Sequence, residues 1–203
     1  MNDAGDSFQP GIIKLNAEGE SMQELSSVLA AATAAIEPGY FRLSIHGGDP
    51  VYRERVYCYE LYHQMRLRWP RGCAFALNGE VDKAAHPILM KLGADGFKPD
   101  LLVHTPGDMA GNHAVMEVKS ARAVRNGFPK DLKTLAVFRQ AVGYERAIYL
   151  IYGGETSDGL IRSMAGYATK SGLPVPVEVW LHSAPGHAAV HAITLQAASA
   201  NGP

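Results

Sequence analysis

Cysteine is almost missing from this chain: Cys58 and Cys73 are the only two in 203 residues. Two thiols cannot build a four-cysteine zinc cluster, and their spacing makes no disulfide framework. Both read as reduced core thiols. An excess of either charge is also lacking, with 19 Lys+Arg against 20 Asp+Glu. Overall charge therefore exerts no pull toward nucleic acid or an acidic membrane, although a local basic patch survives that argument. No apolar run approaches the ~18 residues a membrane-spanning helix needs. The opening "MNDAGDSFQPG" lacks the charged and apolar regions of a secretory signal. The expectation is a cytoplasmic protein with no membrane partner. There is no internal repeat, no Walker-type phosphate loop, and no helix-turn-helix or zinc finger to read a base sequence.

What is present is apolar residue in quantity, 47% of the chain, enough for one domain core. Residues 1–20 read as a flexible N-terminal arm, 21–196 as a single domain and 197–203 as a tail. "SMQELSSVLAAATAAIEPG" predicts a helix opening at Ser21 or Gln23 and stopped by Pro38-Gly39. "YFRLSI" predicts a short strand or turn. "DPVYRERVYCYELYHQMRLRW" predicts a long helix capped by Asp49, with Pro50 at its first position. Its expected buried stripe is Tyr52, Val56, Tyr59, Tyr62, Met65 and Trp69. Strands are predicted over 73–83, 99–105 and 113–120, with "TPGDMAGN" turning between the last two. A helix "DLKTLAVFRQAVGY", a buried strand "RAIYLIYGG", a helix "SDGLIRSMAGYATKSG" and a strand "VPVEVWLHS" follow. The fold class is therefore α/β, a mixed β-sheet flanked by helices. Three strands form an antiparallel meander, and helical crossovers add parallel neighbours.

Charged residues inside these apolar strands mark the candidate site. Side chains two apart in a strand share a face, so Glu117 and Lys119 point together at the end of one strand. Asp100 opens the preceding strand. In an antiparallel hairpin the start of one strand lies beside the end of the next, which puts Asp100 within reach of Glu117. Two carboxylates suit Mg²⁺, a hard ion held by one or two of them plus water and phosphate oxygens. Mn²⁺ would substitute. The carbonyl of Val118 is a further candidate ligand. Lys119 suits a role in orienting the attacking water or stabilising developing charge.

Pro99-Asp100, a spacer of 16 residues, then Glu117-Val118-Lys119 resembles the signature of the PD-(D/E)xK nuclease superfamily. The resemblance implies a restriction-endonuclease-like αβββαβ core over about residues 51–152. It implies a Mg²⁺-dependent nuclease, endo- or exonucleolytic, that leaves a 5′-phosphate and a 3′-hydroxyl, with roles such as restriction, antiphage defence or repair. Asp100, Glu117 and Lys119 would be its signature residues. Glu60 occupies the place where many members carry a Glu on the helix before the first core strand, as a ligand or to position the metal. Gln140, with Tyr144 four residues later, matches a pattern of the exonuclease-like branch. Gln140 would contact water or substrate, and Tyr144 the nucleic acid. The alternative is a non-catalytic nucleic-acid-binding or scaffold subunit of the same fold.

Other residues carry two readings each. Glu80 and Asp82 share a strand face and either extend the carboxylate cluster or form a solvated strand end. His104 sits four residues beyond Asp100 and reads more readily as a structural histidine. The run after the signature strand holds Arg122, Arg125, Lys130 and Lys133 against the single acid Asp131. It suits phosphate contact. The expected partner is nucleic acid, DNA before RNA, with a targeting protein or a homodimer as further partners.

Overall fold

Segments rich in branched and aromatic residues form the sheet, and amphipathic segments between them cover both of its faces. The computed structural model describes residues 13–80, 87–154 and 158–197, with side chains from residue 24 onward. In chain order the elements are α1 (Ile13–Ala34), α2 (Pro38–Phe41), β1 (Leu43–Ile45), β2 (Gly48–Val51) and α3 (Glu54–Leu67). Next come β3 (Ala76–Gly79), α4 (Pro87–Lys91), β4 (Leu101–His104), β5 (Asn112–Ser120) and α5 (Val124–Gln140). The chain finishes with β6 (Arg146–Tyr152), α6 (Asp158–Ser171), β7 (Val177–His182) and β8 (Val190–Leu195).

The main sheet has six strands in sequence order, β3 to β8. Strands β3, β4 and β5 run antiparallel, β5, β6 and β7 parallel, and β8 antiparallel to β7. This is an α/β fold with a mixed sheet flanked by helices. No helix among the described residues is long and apolar enough to cross a membrane.

Strand alternation divides the core in two. On one face Leu102, Val115, Tyr149, Ile151 and Val179 pack under α5 and α6. On the other, Leu101, Met116, Val118, Leu150 and Tyr152 pack under α1 and α3. Both parallel crossovers, through α5 and α6, lie on the same face, as right-handed connections require.

Four boundaries differ from the sequence expectation. Helix α1 begins at Ile13, within the stretch read as an arm. Asp49 and Pro50 cap no helix: they lie in β2, which pairs with β1 as a separate hairpin. Helix α3 starts at Glu54, and its buried row is Tyr57, Leu61 and Met65, whereas Tyr59 is 60% exposed. Helix α5 starts at Val124, seven residues before the expected Asp131. Strand β8, which closes the far edge of the sheet, was not anticipated, nor was the single-turn α4.

Candidate active site

The β4–β5 register fixes the first pair. Leu101 lies opposite Met116 and Leu102 opposite Val115, so one step further brings Asp100 opposite Glu117. A hydrogen bond joins their carboxyl groups. Glu117 is buried. Asp100 is anchored as well: its Oδ2 accepts the Val118 N–H at 2.7 Å. The backbone N–H and C=O of a strand residue leave on the same edge, so the Val118 carbonyl points to the edge on which Asp100 sits.

Two carboxyl groups in contact within a buried site cannot both ionise cheaply. Burial, then the adjacent Asp100, pushes the Glu117 carboxyl up to about 9. Burial also raises Asp100, against the pull of the Val118 N–H. At neutral pH the pair shares a proton.

Lys119 comes off the same strand face as Glu117. Its ammonium sits 3.1 Å from Glu54 Oε2 and 3.5 Å from Asp131 Oδ2. Burial would lower it, but Asp131 and Glu54 together raise it, so it stays charged. Glu54 also accepts from the Ser120 hydroxyl at 3.3 Å. Asp131 is 5% exposed, and its Oδ2 accepts a hydrogen bond from the Tyr149 hydroxyl at 3.1 Å. Gly127 explains why the helix can pass so close. A Cβ there would lie 3.1 Å from Asp131 Oδ2 and 3.2 Å from Lys119 Cε.

Glu54 and Asp131 are the residues that sequence reasoning missed. Glu54 is in line with the buried row of α3, at three, seven and eleven residues before Tyr57, Leu61 and Met65. The signature resemblance pointed to Glu60 instead. Glu60 is 600° of helix turn from Glu54, and its Oε1 accepts from Gln64 at 2.6 Å. Asp131 looked like the opening residue of the helix, at the end of a basic loop, because Gly127 and Pro129 resemble turn punctuation. They lie inside α5, so Asp131 is carried into the core.

The structure does not bring Gln140 or Tyr144 to the carboxylates. Helix α5 runs antiparallel to β5, so its first half lies beside Lys119 and its C-terminal end lies by the strand beginnings. Gln140 is exposed there. Tyr144 is 2% exposed, its ring 5.7 Å from that of Phe138, which makes it a core residue rather than a nucleic-acid contact. His104, at the far end of β4, bonds Asn78 Oδ1 at 3.0 Å.

At the rim, Glu80 pairs with Arg55 at 3.1 Å, both side chains well exposed. The Glu80 N–H donates to the Asp100 carbonyl at 2.9 Å, so it is tied to the site through backbone. Asp82 lies outside the described residues. Cys58 is near enough to Asp100, Glu54, Glu117 and Glu80 that they add to burial in raising its thiol. That leaves it a neutral, unreactive filler. Arg122, Arg125, Lys130 and Lys133 are all exposed, with Lys133 over the Phe97 ring at 5.6 Å.

The donor set fits one class of metal. Among the described residues no group of three or more His, Cys, Asp or Glu side chains is placed to hold a metal ion together. Asp100, Glu117 and the Val118 carbonyl supply hard oxygen, and a shared proton stands where a cation would relieve the same repulsion. That suits Mg²⁺ or Mn²⁺, which keep waters and take phosphate oxygens. Comparison of the chain with family models, with curated proteins and with solved structures returns no match.

Proposed function

We propose that the protein is a Mg²⁺-dependent phosphodiesterase acting on nucleic acid, DNA first, with a restriction-endonuclease-like core of the PD-(D/E)xK type. One observation carries this reading: the buried Glu117 and the half-buried Asp100 have their carboxyl groups in hydrogen-bond contact, with the Lys119 ammonium off the same strand face as Glu117. The strand order supports it, since α3, three antiparallel strands, α5 and a parallel β6 follow the element order that the signature resemblance implies. Asp100, Glu117 and the Val118 carbonyl would hold the ion. When bound, it would neutralise phosphate charge and lower the pKa of a water.

The protein's own groups do the rest. Lys119, fixed between Glu54 and Asp131, presents a charged donor where a water or a developing oxyanion would sit. Its two carboxylate partners set its position in advance, so little reorganisation is needed at reaction.

The test combines cleavage with calorimetry. Asp100→Ala and Glu117→Ala should abolish the Mn²⁺ binding heat and cut cleavage of plasmid and oligonucleotide substrates by at least ~10²-fold. Lys119→Ala should keep the binding heat and lose ~10²–10³-fold in rate. If all three variants cut like the parent, the site is wrong. No carboxylate-dependent metal binding and no cleavage in the parent would instead favour the scaffold subunit.

A further inference from the structure

We infer that Tyr149 is a positioning residue of the candidate active site: its hydroxyl fixes the Asp131 oxygen that faces the Lys119 ammonium. The inference rests on the nuclease reading and adds a member to that site.

Position is the first argument. Tyr149 sits in the middle of β6, paired in register with Glu117 of β5, so both side chains rise from one face of the sheet. Helix α5 covers that face, and the tyrosine meets the helix at two points. Its ring stands nearly edge-on to that of Phe128, centres 5.6 Å apart, and its hydroxyl donates to Asp131 Oδ2 at 3.1 Å. Phe128 and Asp131 are three residues apart and so neighbours on the helix surface. The ring is fully buried.

Chemistry is the second. The strand neighbours on the same face, Ala147 and Ile151, are apolar core residues, and a phenylalanine would fill the space of the ring. A hydroxyl buried there needs a partner, and Asp131 supplies it. Burial, then the adjacent Asp131, raises the phenol well above its ordinary range, so it stays protonated and donates. Burial also raises the Asp131 carboxyl, while Lys119 and the Tyr149 hydrogen bond pull it back down. The hydroxyl thus helps keep Asp131 ionised beside the lysine.

The third argument is how the two carboxylate partners of Lys119 are themselves held. On Glu54 the contacts divide between the oxygens. Oε2 takes Lys119 at 3.1 Å, and Oε1 takes the Ser120 hydroxyl at 3.3 Å and the Ser120 N–H at 3.4 Å. On Asp131 a single oxygen serves both partners: Oδ2 meets the Tyr149 hydroxyl at 3.1 Å and the Lys119 ammonium at 3.5 Å. Fixing Oδ2 therefore fixes the very atom that Lys119 faces. The tie runs from a central strand, through a rigid ring, to the clamp, which is how a site is set before substrate arrives.

The experiment is a double-mutant cycle read on two signals. Parent, Tyr149→Phe, Asp131→Asn and the double variant are compared in kcat and KM, and in the exchange of the Lys119 ammonium protons with water, followed by ¹⁵N NMR. Tyr144→Phe is the control, because it removes a buried hydroxyl from the core beside Phe138. Thermal melts confirm folding, and all proteins are compared below the transition of the least stable. Tyr149→Phe should lower kcat about tenfold with KM unchanged, and should speed the Lys119 exchange several-fold. Placed on Asp131→Asn, the same change should move neither signal further. Tyr144→Phe should match the parent. A Tyr149→Phe protein with the parent's kcat and exchange overturns the positioning role, even if the parent cuts. A loss that adds in full on Asp131→Asn overturns it too, as does a fall in kcat with exchange unchanged. Exchange that depends on Tyr149 only while Asp131 is present, in a parent that never cleaves, keeps the tie and removes the nuclease reading.

Discussion

At the scale of single residues, the site is a problem in charge bookkeeping that the fold leaves unsolved. Glu117 carries a pKa of about 9, well above the unfolded carboxyl value of about 4.3. A raised carboxyl works against folding once the unfolded chain has ionised. Stability should therefore fall as pH rises from about 4.3 toward 9 and level off above. Glu117→Gln should flatten that decline and stabilise the metal-free protein by about 1–2 kcal/mol near pH 8. Chemical denaturation at several pH values reads this directly, and a steeper decline in the variant would refute it. Gly127 offers a second trade. Gly127→Ala gains up to ~1 kcal/mol of helix propensity, while its methyl crowds Lys119 Cε and Asp131 Oδ2. A melting temperature no lower than the parent's, with cleavage reduced about tenfold, is the expected pair of results.

At the scale of elements, helix register decides which glutamate matters. Glu54→Gln should lower kcat ~10–100-fold by releasing one side of Lys119, and Glu60→Gln should leave it unchanged. Steady-state rates for the two variants distinguish the rows. The sheet was legible in the sequence because β4, β5 and β6 keep a strict apolar pattern, and period two placed Asp100, Glu117 and Lys119 together. The helices were less legible. Tyr52, Val56 and Tyr59 are as hydrophobic as Tyr57 and Leu61, so composition could not choose the row that packs. Pro50 looked like a helix opener but sits in a hairpin strand. Gly127 and Pro129 looked like a loop, yet they lie inside α5, where Pro129 at the sixth position gives up one i→i−4 hydrogen bond. The partnership of Lys119 with Glu54 and Asp131 depends on those two misread helix starts, and so stayed hidden.

At the scale of the whole molecule, buried polar groups on opposite sides of the sheet pull stability in opposite directions with pH. Arg146 and Glu178 form a two-point bridge, Nε to Oε1 at 2.8 Å and Nη2 to Oε2 at 2.7 Å, joined by Ser26 of α1. Hydrogen bonds from Arg146 hold Glu178 below the ordinary carboxyl range despite burial. Its contribution is present above about 4.3 and is lost as pH falls toward its folded value. His182, fully buried with Nδ1 2.7 Å from the Tyr57 hydroxyl, is lowered to about 4. That contribution is full above about 6.5 and is lost as pH falls to 4. With Glu117 acting in the other direction, the metal-free protein should be most stable in mildly acidic to neutral solution. Glu178→Gln should cost about 3 kcal/mol and flatten the acid limb, as a melt series in pH would show.

The separation of the site's parts along the chain has a kinetic meaning. Asp100 and the Val118 N–H are 18 residues apart and meet in one hairpin, while Lys119 and Glu54 are 65 apart. Loop closure favours the nearer contact first. During folding the two acids would be brought face to face before the clamp on their lysine neighbour is complete. The barrier would then carry their repulsion. Refolding followed by stopped-flow fluorescence should accelerate with Mg²⁺ or at lower pH, and that acceleration should vanish in Glu117→Gln.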